Sequence, residues 1–209
     1  MNETWELTPE KYLNPVELAK LLNRAEELFQ LGVLKKRKHY VRDAFIIQTA
    51  LYSGLRRAEI CDLKIADVRI GNGQSNILVR NGKGSKSRTV HIGKEFKTFL
   101  RKYIQWKHDV GELHPDAYLL RSDRSEKYSV SGIWVRWRKY CPKGLHSARH
   151  SYGTFVYQST KNLRMVQKQL GHSKITTTAI YSDVTPEIIV EGMNEFERLA
   201  RTLRKTAAA

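Results

Sequence analysis

The apolar residues of this chain keep a helical period almost from end to end and break it once, between residues 66 and 92. Ahead of the break, Asn14-Pro15-Val16-Glu17 reads as a helix start: an N-cap, a proline at the first helical position and a glutamate closing a capping box. Val16, Leu18, Leu21, Leu22, Ala25, Leu28 and Phe29 follow as its apolar stripe. A second helix is expected from about Tyr40 through Ala44, Ile47, Ala50 and Leu51, stopped by Gly54. Inside the break, Ile77, Val79, Val90 and Ile92 lie in short β-like runs on either side of the turn Asn81-Gly82-Lys83-Gly84-Ser85-Lys86. Beyond it the pattern is helical again to Arg204, apart from a short extended piece near Tyr118-Leu119-Leu120. The expected fold class is α+β, mainly α, with one small antiparallel sheet.

Length and charge narrow what such a fold does. A chain of 209 residues supports one sizeable core, or one domain with an extension. Its 37 Lys+Arg against 21 Asp+Glu give a net charge of +16, a field that attracts polyanions. Nucleic acid is favoured over an acidic membrane surface, because no apolar run approaches the ~20 residues that span a bilayer. Cys61 and Cys141 are too few for a disulfide framework, and the opening residues lack the profile of a signal peptide. A cytoplasmic setting is expected. The run Lys35-Lys36-Arg37-Lys38 is placed in a loop, where it is either a solvated cluster or a DNA contact.

Four local features carry chemistry, and each has an ordinary alternative. Arg56 falls where one helix has stopped and the next begins, a place the macrodipole disfavours for a cation unless an anion is seated there. Glu59, three residues on, is placed to orient it; alone, the two make a common surface pair. Lys83 stands between glycines 82 and 84 at a hairpin tip, with Lys86 and Arg88 on its flanks as candidate DNA contacts. Such a lysine protonates a leaving alkoxide if a cationic site lowers its pKa, or is simply solvated. His146 and Arg149 are three apart and share a helix face, an arrangement suited to proton transfer at a phosphate. His146 and His150 also have a metal-ligand spacing, but no third ligand follows at a suitable distance and Arg149 would repel a cation. Finally, Gly171 is expected to end a helix and Ser173 to cap the next, with His172 in the joint. Tyr181 follows Ile175, Thr176, Thr177, Thr178 and Ile180, β-branched residues that make a mediocre helix and a marginally stable turn.

Taken in order, Gly54-Leu55-Arg56-x-x-Glu59, Gly82-Lys83-Gly84-x-Lys86-x-Arg88, His146-x-x-Arg149-His150, Leu170-Gly171-His172 and Thr177-Thr178-x-x-Tyr181 resemble the motif series of the tyrosine recombinases. That family includes the phage integrases and the Xer-type recombinases. The resemblance runs from about Tyr12 to Arg204; Ala148 stands where many members have leucine. It implies a tyrosine recombinase-like (DNA breaking-rejoining) catalytic fold, with double-stranded DNA as partner and no cofactor or metal. Arg56 and Arg149 would bind the scissile phosphate, Tyr181 would attack it, and Lys83 would protonate the leaving oxygen. His146 would take the tyrosine proton, His172 would hydrogen-bond the phosphate and Glu59 would buttress Arg56. The implied organisation is a single catalytic domain: a lead over 1–11, a core over 12–184, a C-terminal helix over 185–204 and a tail (frayed, or a cloning scar) over 205–209. Set against the resemblance, the helical DNA-clamping domain that usually precedes it is expected to be absent, as in an excised domain or a naturally short form. The stripe Ile189, Met193, Phe196, Ala200 and Leu203 on the last helix needs a partner. The resemblance favours a neighbouring subunit, linking protomers into a tetramer on DNA, over the chain's own core. A type IB topoisomerase-like nicking-closing enzyme and a non-catalytic DNA-binding relative are the other readings.

Overall fold

Asn14 caps helix α1 (Pro15–Leu34): its side chain accepts from the Glu17 N–H at 2.8 Å, and the Glu17 carboxylate accepts from the Asn14 N–H at 2.8 Å. The structure, a computed structural model, describes residues 12–80, 87–171 and 186–206. Lys83, Lys86, His172 and Tyr181, with the β-branched run before the tyrosine, lie outside the described residues. Leu18, Leu21, Leu22, Ala25, Leu28 and Phe29 of α1 are buried, whereas Val16, expected in the same stripe, is 52% exposed. Two positions along a helix are about 200° apart, so Val16 and Leu18 cannot share a face.

That stripe packs on α2 (Lys38–Ser53), which begins two residues ahead of the expected start and is buried at every position from Val41 to Ser53. A helix covered on all sides must satisfy its polar side chains inside the protein. Arg42 meets Glu112 and Asp123, and Asp43 takes Arg136 and the Tyr140 hydroxyl. Gly54 stops α2 in the left-handed region, at φ +60°, where a Cβ would lie 2.4 Å from the Tyr152 ring. Only glycine fits there.

The break in period is a three-stranded antiparallel sheet ordered β1 (Val68–Arg69), β2 (Asn76–Val79) and β3 (Arg88–His91). Ile77 opposes Val90 and Val79 opposes Arg88, so Ile77, Val79 and Val90 point to the core. The extended piece at Tyr118 is reduced to a single bridge with Lys64. The remaining helices are α3 (Arg57–Asp62), α4 (Lys94–Asp109), α5 (Val130–Trp137), α6 (Leu145–Thr160), α7 (Leu163–Leu170) and α8 (Pro186–Thr206). None of the described helices is long and apolar enough to cross a membrane.

The stripe of the last helix is covered within this single chain: Ile189, Met193, Phe196 and Ala200 are buried against α1, α4, α6 and β3. The polar face explains why. Helix α4 starts after Gly93, which has no side chain to cap it, and α8 supplies the missing acceptors. Asn194 accepts from the Lys94 N–H at 2.7 Å, and Glu197 accepts from the N–H groups of Glu95 and, at 3.0 Å, Phe96. Glu197→Ala strips an N-cap and leaves two N–H groups without acceptors. It is expected to cost about 1–3 kcal/mol, read as a lower midpoint in urea with an unchanged slope.

The basic run is also revised in part. Lys35, Lys36 and Arg37 form the exposed turn between α1 and α2, but Lys38 opens α2 and pairs with Glu112 at 3.0 Å.

Candidate active site

Arg56 is the N-cap residue of α3, and Glu59 in the first turn closes the box beneath it. The Arg56 N–H reaches the Glu59 carboxylate at 2.7 Å and its Nη1 reaches the same carboxylate at 2.8 Å. A second arginine arrives from the sheet. Arg88 opens β3 and grips Glu59 with both terminal nitrogens, at 2.7 and 2.8 Å. Its side chain is 12% exposed, so the expectation that Arg88 contacts DNA from the hairpin flank gives way to an inward role. Burial pushes the Glu59 carboxyl up, but hydrogen bonds and charge from Arg88 and Arg56 outweigh it and hold it at about 2.

Arg149 comes from α6 and is buried. Its Nη1 donates to the Gly54 carbonyl at 2.6 Å and its Nη2 to the Leu170 carbonyl at 2.7 Å. It makes no ion pair with the described residues. Burial, then the charge of Arg56, pulls it down to about 10, so it stays cationic at neutral pH. His146, in the first turn of α6, stacks edge-on against His150 with ring centroids 4.5 Å apart. Burial and the charges of Arg149 and Arg56 lower its pKa, which keeps the imidazole neutral and able to accept a proton.

Arg56, His146 and Arg149 line one cleft of about 380 Å³. Its apolar wall is Val130 and the 45% exposed Trp134 of α5. The cleft thus offers an imidazole and two guanidiniums, one of them with no carboxylate partner among the described residues: a seat for a tetrahedral anion. The structure brings together the three described residues of the expected catalytic set; Lys83, His172 and Tyr181 are outside the described residues. Among the described residues no group of three or more His, Cys, Asp or Glu side chains forms a metal-ligand set, so the spacing of His146 and His150 finds no third ligand there. Sequence reasoning missed Trp134, and it missed Gln169, whose type and spacing match no motif.

Known proteins resemble the chain over most of its length. The phage integrase family matches residues 11–187. The tyrosine recombinase XerA of Thermococcus kodakarensis is 34% identical over 212 residues, covering 98% of this chain and 70% of that protein. The crystal structure of a XerA recombinase superimposes with a TM-score of 0.63 and 26% identity, over 78% of this chain and 56% of that one. A XerH site-specific recombinase bound to its difH substrate has the same fold, with a TM-score of 0.61 and 24% identity over 78% of this chain and 47% of that one. This chain therefore spans between about half and 70% of the length of these relatives. By the family match and the XerA identity, the chain belongs to the phage integrase family, the tyrosine recombinases.

Proposed function

We propose that this chain is the catalytic part of a site-specific recombinase, cutting and rejoining double-stranded DNA through a covalent 3′-phosphotyrosyl intermediate. The convergence of Arg56, His146 and Arg149 on one cleft carries the reading. Arg56 and Arg149 hold the non-bridging oxygens of the scissile phosphate and offset the charge that builds in the transition state. Tyr181 attacks phosphorus in line: its oxygen bonds to phosphorus as the bond to the 5′ oxygen breaks. His146 takes the phenolic proton, and its place in the cleft beside Arg149 supports that assignment. Lys83 gives a proton to the departing 5′ oxygen, and His172 hydrogen-bonds the phosphate. The new bond keeps the energy of the old one, so a 5′-hydroxyl from another strand reseals it without ATP. Guanidiniums and an ammonium supply the positive charge, and the chemistry calls for no cofactor.

The same reading has copies of the chain assemble into a tetramer on DNA. In the single chain the apolar stripe of α8 is covered in cis, so that contact would require the helix to exchange its own core for a neighbour's. Lys35, Lys36 and Arg37, in an exposed turn, are proposed to touch the DNA backbone. The place of action would be the nucleoid of a prokaryote, or a host cell for a mobile element.

A nicked suicide substrate tests the core of the proposal. The protein is expected to form an adduct that survives a denaturing gel, and Tyr181→Phe is expected to form none. An adduct from that variant would remove Tyr181 as nucleophile, and binding without any adduct would leave a DNA-binding relative. Relaxation of arbitrary supercoiled plasmid, with no recombinant product, would replace strand exchange by nicking and closing.

A further inference from the structure

Three successive carbonyls at the C-terminal end of α7 each accept from a different guanidinium. Gln169 O takes Arg88 Nε at 3.2 Å, Leu170 O takes Arg149 Nη2 at 2.7 Å, and Gly171 O takes Arg56 Nη2 at 3.5 Å. The last carbonyls of a helix have no intrahelical donor and carry the negative end of its dipole. They aim cations without neutralising them, as a carboxylate would. The device matters because three guanidiniums crowded together repel one another. Glu59 offsets Arg56 and Arg88, while among the described residues Arg149 has carbonyls alone.

The Gln169 side chain ties this cradle to the sheet. It is 1% exposed, and both ends of its amide are used on one residue of β3. Its Oε1 accepts from the His91 N–H at 2.9 Å, and its Nε2 donates to the His91 carbonyl at 2.9 Å. The pair of bonds imitates a neighbouring strand on the outer edge of β3, the side away from β2. Packing alone would be met by an apolar side chain of the same volume, and a buried amide is costly unless both ends are bonded. What the amide adds is register. There is little slack in it: a Cβ on Gly171 would lie 2.7 Å from Arg88 Cδ.

We propose that Gln169 is a positioning residue for the phosphate-binding arginines. By clamping α7 to β3 it sets the three carbonyls, and through them Arg56 and Arg149, at the spacing a phosphate requires, with Arg88 held alongside on Glu59. The proposal rests on the DNA-cleaving reading above.

Two variants test it from opposite sides of the tie. Gln169→Met keeps the volume and loses both hydrogen bonds. His91→Pro removes the strand's N–H, on an edge where proline is tolerated, without substituting any residue of α7 or any of the arginines. Each is compared with the unsubstituted protein on two suicide substrates, one with the natural phosphodiester and one with a neutral methylphosphonate at the scissile position. Misplaced guanidiniums are expected to slow adduct formation on the phosphodiester by about tenfold to a hundredfold. On the methylphosphonate, which has one non-bridging oxygen where the phosphodiester has two and so leaves one guanidinium without an oxygen to hold, the slowing is expected to be smaller by about threefold or more. A loosened fold would slow both substrates alike, so equal slowing overturns the proposal, as does an undiminished rate on the phosphodiester. A variant that does not fold overturns it too, because the tie would then serve the fold and not the arginines. Absence of any adduct from the unsubstituted protein sinks the cleavage reading itself, a result distinct from all of these.

Discussion

Arg149→Ala is expected to slow adduct formation on a suicide substrate by about a thousandfold or more. DNA affinity at fixed salt should change only a few-fold, because one phosphate contact among many contributes one increment to a binding energy spread over the duplex backbone. The size of the catalytic effect follows from the surroundings of this guanidinium. It is 4% exposed, makes no ion pair with the described residues and is aimed by the Gly54 and Leu170 carbonyls into the cleft it shares with Arg56 and His146. A charge kept un-neutralised in a desolvated site acts at full strength on an anion that gains charge in the transition state. Arg149→Lys should recover little, since an ammonium does not present the planar fork that spans both carbonyls and still faces a phosphate. Single-turnover rates, read beside a gel shift and a melting curve, separate the effect from unfolding. A loss below tenfold in a folded variant would take Arg149 out of the transition state.

What the sequence disclosed, and what it hid, divides along a physical line. Caps, turn residues and hydrophobic period are local, so α1 with its Asn14 box, α2 with its Gly54 stop and the sheet around residue 80 could be read directly. The order of the motifs was legible for the same reason: Arg56 and Glu59, or His146 and Arg149, are each three residues apart and meet within one turn. Partners distant in sequence were not legible. The stripe on α8 shows that it must be covered and not by what, and only folding shows that Glu197 caps a helix about a hundred residues earlier. Arg88 was misread because flanking a basic hairpin looks like exposure, whereas the register sets it opposite Val79 and within reach of Glu59. One clue was available: a single carboxylate among several cations is more economically shared than paired. Gln169 gave no such clue, because its meaning lies in the backbone of a strand 78 positions away.

Glu59 is where the fold and the site share one group, and Glu59→Gln should injure both. The substitution keeps the shape and removes the charge that Arg56 and Arg88 face at 2.7–2.8 Å, leaving two guanidiniums in mutual repulsion around a carboxamide that cannot accept at both ends. Breaking one side of a buried ion pair costs about 3–5 kcal/mol, which for a chain of this size lowers Tm by about 6–20 °C. The pH dependence gives an independent reading of the same interaction. The carboxyl is held at about 2 in the folded protein, below its ordinary value, so its contribution is fully present above the unfolded pKa and is lost as pH falls from about 4.5 toward 2. Urea midpoints measured at pH 7 and pH 3 should therefore draw together: the unsubstituted protein loses stability across that interval, and Glu59→Gln loses less, by about half of what it lacked at pH 7. Parallel midpoints at both pH values would mean that the carboxylate is not paired as described. Cleavage should fall as well, because Arg56 loses the group that fixes its guanidinium toward the cleft, and lowering the pH to 3 should not restore it.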